Sequence, residues 1–104
     1  MDLQTAKGVR DIPPEEKLLK NQVVNTLTEI FELYGFAPLE TPLLERLETL
    51  SAKFAAGESS DALKETFKLK DQGGRDLGLR FDLTVPLARF IAMNPTLKMP
   101  FKRY

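Results

Sequence analysis

Two alternating segments around a glycine-containing turn constrain the fold more than any other feature of the sequence. Residues 65–70 (ETFKLK) and 76–81 (DLGLRF) alternate polar and apolar side chains, and residues 71–75 (DQGGR) between them have the composition of a turn. A period of two is typical of a strand with one buried face, and a short glycine-containing connection predicts a β-hairpin. The alternation predicts that Leu77 and Leu79 face inward.

A long helix is predicted near the N-terminus. Pro13 and Pro14 are tolerated in a first helical turn, and Gly35 is a residue that commonly follows a helix end. Between them the apolar side chains are spaced mostly by three and four, which predicts a single apolar stripe: Leu19, Val23, Leu27, Ile30, Phe31 and Tyr34.

The other segments complete an order of helix, strand, helix, hairpin, helix and strand. A short strand is predicted around Pro38, with the proline at an edge or at the strand start. Thr84 is predicted to be the N-cap of a helix that extends to Met93. The remaining predictions are a short helix within 43–54, a loop at 55–61 and the start of a strand at 99–104. This order predicts an α+β fold, with an antiparallel or mixed sheet and flanking helices.

Composition limits the functions that are open to the chain. At 104 residues, it has the size of one domain, 1–104. It has no cysteine and no histidine, which excludes disulfides and zinc sites built from thiolate or imidazole. Its 15 basic and 15 acidic side chains balance, so the net charge gives no general attraction to nucleic acid or anionic membrane. The sequence has no stretch of transmembrane or signal-peptide type, and a cytoplasmic location with no membrane partner is expected.

Asp82 and Thr84 are the candidate ligand-binding residues. They lie where the second hairpin strand leads into the N-terminus of the following helix. A carboxylate held there by backbone N–H groups, beside a hydroxyl, is suited to bind an ammonium group. The alternative is purely structural: Thr84 caps the helix and Asp82 pairs with Arg80 or another strand charge.

Four segments in one order resemble the start of the histidyl-tRNA synthetases, a family of class II aminoacyl-tRNA synthetases. They are KGVRDIPPEE, YGFAPLETPLLE, LGLRFDLTVPLARFIAMN and FKRY, and they extend from Lys7 to Tyr104. The resemblance implies the N-terminal part of a class II catalytic domain. It also implies that Pro42 lies in a homodimer interface and that Asp82 and Thr84 contact the α-ammonium group of bound L-histidine.

The family's activity is ligation of histidine to tRNA(His) with ATP, usually with Mg²⁺. In the family, the arginine that binds the ATP α-phosphate, the histidine-specific loop, the third signature and the anticodon-binding domain all follow the segment that matches Tyr104. The chain is therefore expected to be a fragment that has no catalytic residue of its own, binds no cofactor tightly and is inactive alone. Two alternatives remain: the regulatory subunit of ATP phosphoribosyltransferase, a paralogue in which proline is expected at Phe81, and a non-catalytic dimerisation or binding module.

Overall fold

The computed structural model describes residues 1–52 and 61–104. The chain folds as two compact units, Met1–Leu39 with Lys102–Tyr104 and Glu40–Phe101. The predicted loop at 55–61 lies outside the described residues except for its last member, Asp61.

The first unit is built around helix α1, Pro14–Leu33. The helix ends as the sequence predicts, because Gly35 adopts a φ of +82° that disfavours side chains with a Cβ. The N–H groups of Gly35 and Phe36 donate to the carbonyls of Glu32 and Phe31 at 3.0 Å each. This pattern is a Schellman motif, and the Phe31 and Phe36 rings accompany it in an edge-to-face contact with centroids 5.9 Å apart. The apolar stripe of α1 lies on the surface of the chain: Leu19, Val23, Leu27, Ile30 and Phe31.

The strand predicted around Pro38 is reduced to one parallel bridge between Ala37 and Arg103. Backbone bonds of 2.9–3.0 Å join Ala37 and Leu39 to residues 102–104. Proline has no N–H to donate, which limits this pairing and agrees with the predicted edge position. The predicted strand at 99–104 is likewise present only as this bridge. Tyr104 also stacks on Phe31, with ring centroids 5.5 Å apart.

The second unit holds a three-stranded antiparallel sheet in the order β1-β3-β2. The strands are β1, Leu44–Arg46, β2, Lys68–Lys70, and β3, Asp76–Leu79. The predicted hairpin of β2 and β3 is therefore confirmed, with Leu69 opposite Leu77. Its turn is stabilised by Asp71, whose Oδ1 accepts the N–H groups of Gly73 and Arg75 at 2.9 Å each. The α+β prediction is also confirmed.

In the described residues of this unit, three helices accompany the sheet: α2, Leu47–Ala52, α3, Asp61–Glu65, and α4, Thr84–Met93. The prediction of a short helix within 43–54 is confirmed by α2, although residues 44–46 pair with β3 as a strand and lie outside the helix. Helix α3 begins at Asp61, which the sequence predicts to be the end of a loop.

The prediction that Leu77 and Leu79 face inward is also wrong in this chain. Leu77 is half-buried and Leu79 is 39% exposed, whereas Gly78 on the opposite face is buried. Helix α2 packs against that opposite face, and a Cβ added to Gly78 would lie 2.8 Å from Leu50 Cδ1. Glycine therefore lets the fully buried Leu50 approach the strand, and the core forms on the face of β3 that carries Gly78.

Candidate functional site

Asp82 and Thr84 are brought together in the turn between β3 and α4. The Thr84 hydroxyl donates to Asp82 Oδ2 at 2.9 Å, and the Val85 N–H donates to Asp82 Oδ1 at 3.2 Å. The carboxylate thus lies at the positive end of the α4 dipole. The Thr84 hydroxyl keeps its two lone pairs to accept other donors, since its single proton goes to Asp82. Asp82 is half-buried and Thr84 is exposed.

The prediction that Thr84 is the N-cap is wrong. Helix α4 begins at Thr84 itself, and its N-cap residue, Leu83, makes no side-chain capping bond. The Asp82 carboxylate satisfies the Val85 N–H instead. Asp82 and Thr84 are two positions apart, so a carboxylate just before the helix can reach both the hydroxyl and a free N–H of the first turn. Asp82 therefore has a structural function at the start of α4.

The Arg80 side chain points to the segment that contains Pro42. Arg80 Nη1 donates to the Thr41 carbonyl at 2.9 Å, to Thr41 Oγ1 at 3.0 Å and to the Pro42 carbonyl at 3.5 Å. The backbone N–H of Arg80 donates to the Leu43 carbonyl at 3.0 Å. These bonds anchor the end of β3 beside Pro42, which is itself exposed. Arg80 is thus the residue that connects Pro42 with the turn of Asp82 and Thr84.

A groove of about 870 Å³ runs between α2 and α4, with Thr84 among its lining residues. Small apolar side chains line α4 at Ala88 and Ala92, and Glu48 and Arg89 contribute charge. The spacing of the two alanines by four residues on one helix face is a signal that was available in the sequence.

A buried ion pair joins β1 to α4. Arg89 Nε donates to both carboxylate oxygens of Glu45, at 3.0 and 2.9 Å. The Glu45 side chain is 4% exposed and that of Arg89 is 25% exposed. Sequence reasoning missed this pair, although Arg89 is the single charged residue in the helix sequence TVPLARFIAM. A charge inside such an apolar helix indicates a partner on another element.

The described part of the chain contains neither a metal-binding cluster nor a membrane-spanning helix. Within 1–52 and 61–104, no three acidic side chains converge in a group that could hold a metal ion. Over the same residues, no helix combines the length and apolar character needed to cross a membrane.

Curated proteins similar to this chain include histidine–tRNA ligases. One relative, histidine–tRNA ligase 1 of Bacillus thuringiensis, is 47% identical over 104 residues, which is 100% of this chain and 24% of the relative. The histidine–tRNA ligase of Aeropyrum pernix is 50% identical over 99 residues, or 94% of this chain and 22% of the relative. The chain thus spans about a quarter of the length of these curated relatives.

Solved structures agree with the sequence comparison. The histidyl-tRNA synthetase of Nostoc sp. PCC 7120 matches with a TM-score of 0.82 and 36% identity, over 99% of this chain and 23% of that structure. A Bacillus halodurans C protein described as an ATP phosphoribosyltransferase regulatory subunit/histidyl-tRNA synthetase matches with a TM-score of 0.73 and 33% identity, over 94% of this chain and 25% of that structure. These matches confirm the predicted fold, that of part of a class II synthetase.

The family model that matches residues 8–103 is described as histidyl-tRNA synthetase. Because that match extends over nearly the whole chain, the chain belongs to the histidyl-tRNA synthetase family.

Proposed function

We propose that this chain is the N-terminal part of the catalytic domain of a histidine–tRNA ligase, in which Asp82 and Thr84 bind the α-ammonium group of L-histidine. The observation that carries the proposal is the 2.9 Å hydrogen bond between these two side chains at the start of α4. It is supported by the family match over residues 8–103.

The chemistry of the turn suits an ammonium group. An ammonium group has three N–H donors and a positive charge, so it needs acceptors and a negative charge within hydrogen-bond distance. Asp82 supplies the charge and Thr84 supplies an acceptor oxygen, while the hydrogen bond between them limits the rotation of both. Binding histidine by its ammonium group leaves its carboxylate available to attack the α-phosphate of ATP, which releases pyrophosphate and forms histidyl-adenylate. Transfer of the histidyl group to tRNA(His) completes the reaction of the whole ligase.

ATP and Mg²⁺ are assigned to the whole ligase and not to residues of this chain. The contribution of this chain is to bind and orient the amino acid. A protein of this function acts in translation, and a cytoplasmic location is proposed with it.

A homodimer is part of the same proposal. The exposed apolar stripe of α1 is a surface of the kind that a second subunit covers. Pro42, which the resemblance assigns to the dimer interface, is exposed as well.

The regulatory subunit of ATP phosphoribosyltransferase is the second candidate function. The description of the Bacillus halodurans C structure names both functions for a protein 33% identical to this chain. Phe81, in the position where the paralogue is expected to have proline, favours the ligase.

A chimeric enzyme tests the proposal. Residues 1–104 of this chain replace the matching quarter of the Bacillus thuringiensis ligase, and exchange of labelled pyrophosphate into ATP is measured with each amino acid. We expect exchange that depends on L-histidine, with kcat/KM within about tenfold of the unmodified ligase, and no exchange from the 104-residue chain alone. A folded, dimeric chimera that shows no histidine-dependent exchange would contradict the ligase assignment and favour the regulatory paralogue.

A further inference from the structure

The ion pair between Glu45 and Arg89 has no part in the proposed contacts with histidine. Glu45 is the central residue of β1, and its carboxylate is almost fully buried. A buried carboxylate is unfavourable unless a charged partner satisfies it, and Arg89 does so through both oxygens. Replacing such a pair by apolar residues often leaves stability unchanged or raises it, so stability alone is a poor explanation for its presence.

Both ends of the turn that carries Asp82 and Thr84 are attached to the same short segment, Leu43–Glu45. Before the turn, the Arg80 N–H donates to the Leu43 carbonyl at 3.0 Å, and Leu79 pairs with Leu44. After the turn, the Arg89 side chain binds Glu45. The turn therefore lies between two attachments to the segment Leu43–Glu45. Backbone hydrogen bonds make the attachment before the turn, and the Glu45–Arg89 ion pair makes the attachment after it.

The second attachment lies close to the N-terminus of α4. Arg89 follows Thr84 by five residues, which is about 7.5 Å along the helix axis. A tilt of about 8° around Arg89 would move the first turn of α4 by roughly 1 Å, and a displacement of that size can reduce a rate about 100-fold. Because Asp82 binds the Val85 N–H, the carboxylate moves with the helix.

We infer that Glu45, acting through Arg89, is a positioning residue for the amino-acid-binding turn. This inference rests on the proposed function of Asp82 and Thr84, and it requires no contact between histidine and either Glu45 or Arg89. The planar guanidinium of Arg89 defines one orientation of α4 relative to β1, which a lysine at the same position would not define.

Steady-state pyrophosphate exchange by the chimeric ligase tests the inference. Glu45→Gln removes the charge but keeps the shape, and Arg89→Lys keeps the charge but loses the planar donor group. We expect both changes to raise the KM for histidine, roughly tenfold for Glu45→Gln, while the KM for ATP stays within about twofold. Asp76→Asn is the matched control, because it removes a carboxylate from an exposed ion pair with Lys70 in the same sheet. It should leave both KM values unchanged.

Combining Glu45→Gln with Asp82→Asn separates positioning from a general loss of structure. If Glu45 acts through Asp82, the double variant should have a histidine KM no more than about twofold above that of Asp82→Asn alone. The inference would be overturned if the rise in histidine KM in the double variant equalled the product of the rises in the two single variants. It would also be overturned if Glu45→Gln raised the KM for histidine and the KM for ATP equally. If Glu45→Gln does not fold, Arg89→Lys decides: a folded Arg89→Lys enzyme with an unchanged histidine KM would refute it. Failure of the proposed function has a different result, since Asp82→Asn would then leave the histidine KM unchanged.

Discussion

Replacing Asp82 by asparagine should weaken histidine binding without unfolding the protein. The change keeps the size of the side chain and one carbonyl oxygen, which can still accept the Val85 N–H that Asp82 Oδ1 accepts at 3.2 Å. The amide group would face the Thr84 hydroxyl, which can reverse its role and accept a hydrogen bond. What asparagine cannot supply is the negative charge opposite the ammonium group.

The expected effect on binding is larger than the effect on stability. A hydrogen bond to a charged group contributes about 1.5–3 kcal/mol, so the Kd for histidine should rise by roughly one to two orders of magnitude. The helix loses only a favourable charge at its N-terminus, which contributes about 0.3–1 kcal/mol. The free energy of unfolding should therefore fall by less than about 1 kcal/mol, and ATP affinity should hardly change.

Calorimetric titration of the chimeric ligase with histidine and with ATP measures both affinities, and thermal unfolding measures stability. Asp61→Asn is the control, since it removes a carboxylate from the first turn of another helix, where that side chain is 91% exposed. It should change neither affinity. If Asp82→Asn unfolded the protein and left histidine affinity unchanged in the folded fraction, Asp82 would be a capping residue only.

Three further predictions concern the chain by itself. It should self-associate, because α1 leaves a row of apolar side chains exposed. Sedimentation should detect a dimer, and a monomer at high micromolar concentration would contradict this prediction. Gly78→Ala should lower the free energy of unfolding by about 1–3 kcal/mol, because the new methyl group would lie 2.8 Å from Leu50 and 3.2 Å from Thr66. Denaturant unfolding measures this free energy, and an unchanged denaturation midpoint would refute the close packing. The backbone N–H of Arg75 and its guanidinium lower the pKa of Asp71. The ionised carboxylate should therefore stabilise the hairpin at neutral pH, and this stabilisation should be lost as the pH falls below about 4. Hydrogen exchange across the turn measures the loss, and Asp71→Asn should abolish this pH dependence.

Local interactions explain why the ends of α1 and the hairpin are predictable from sequence. The Schellman motif at Gly35 and the turn around Asp71 each use residues within a few positions of one another. Their conformations depend on glycine at positive φ and on a carboxylate that accepts nearby N–H groups, which are properties of the residues themselves. The closeness of Asp82 and Thr84 has the same local origin, because they are two positions apart at the start of a helix.

The tertiary structure decided the features that depend on distant residues. Leu44, Leu47 and Leu50 are spaced by three residues, as in a helix. Residues 44–46 nevertheless form a strand, because they pair with β3. Alternation in β3 identified its two faces, yet α2 packs on the face with Gly78, because only a residue without a side chain admits Leu50 there. Glu45 and Arg89 are 44 positions apart, so their contact exists only when the sheet brings β1 and α4 together. Sequence alone therefore predicted which residues form the candidate site, and the sheet determined what holds them in place.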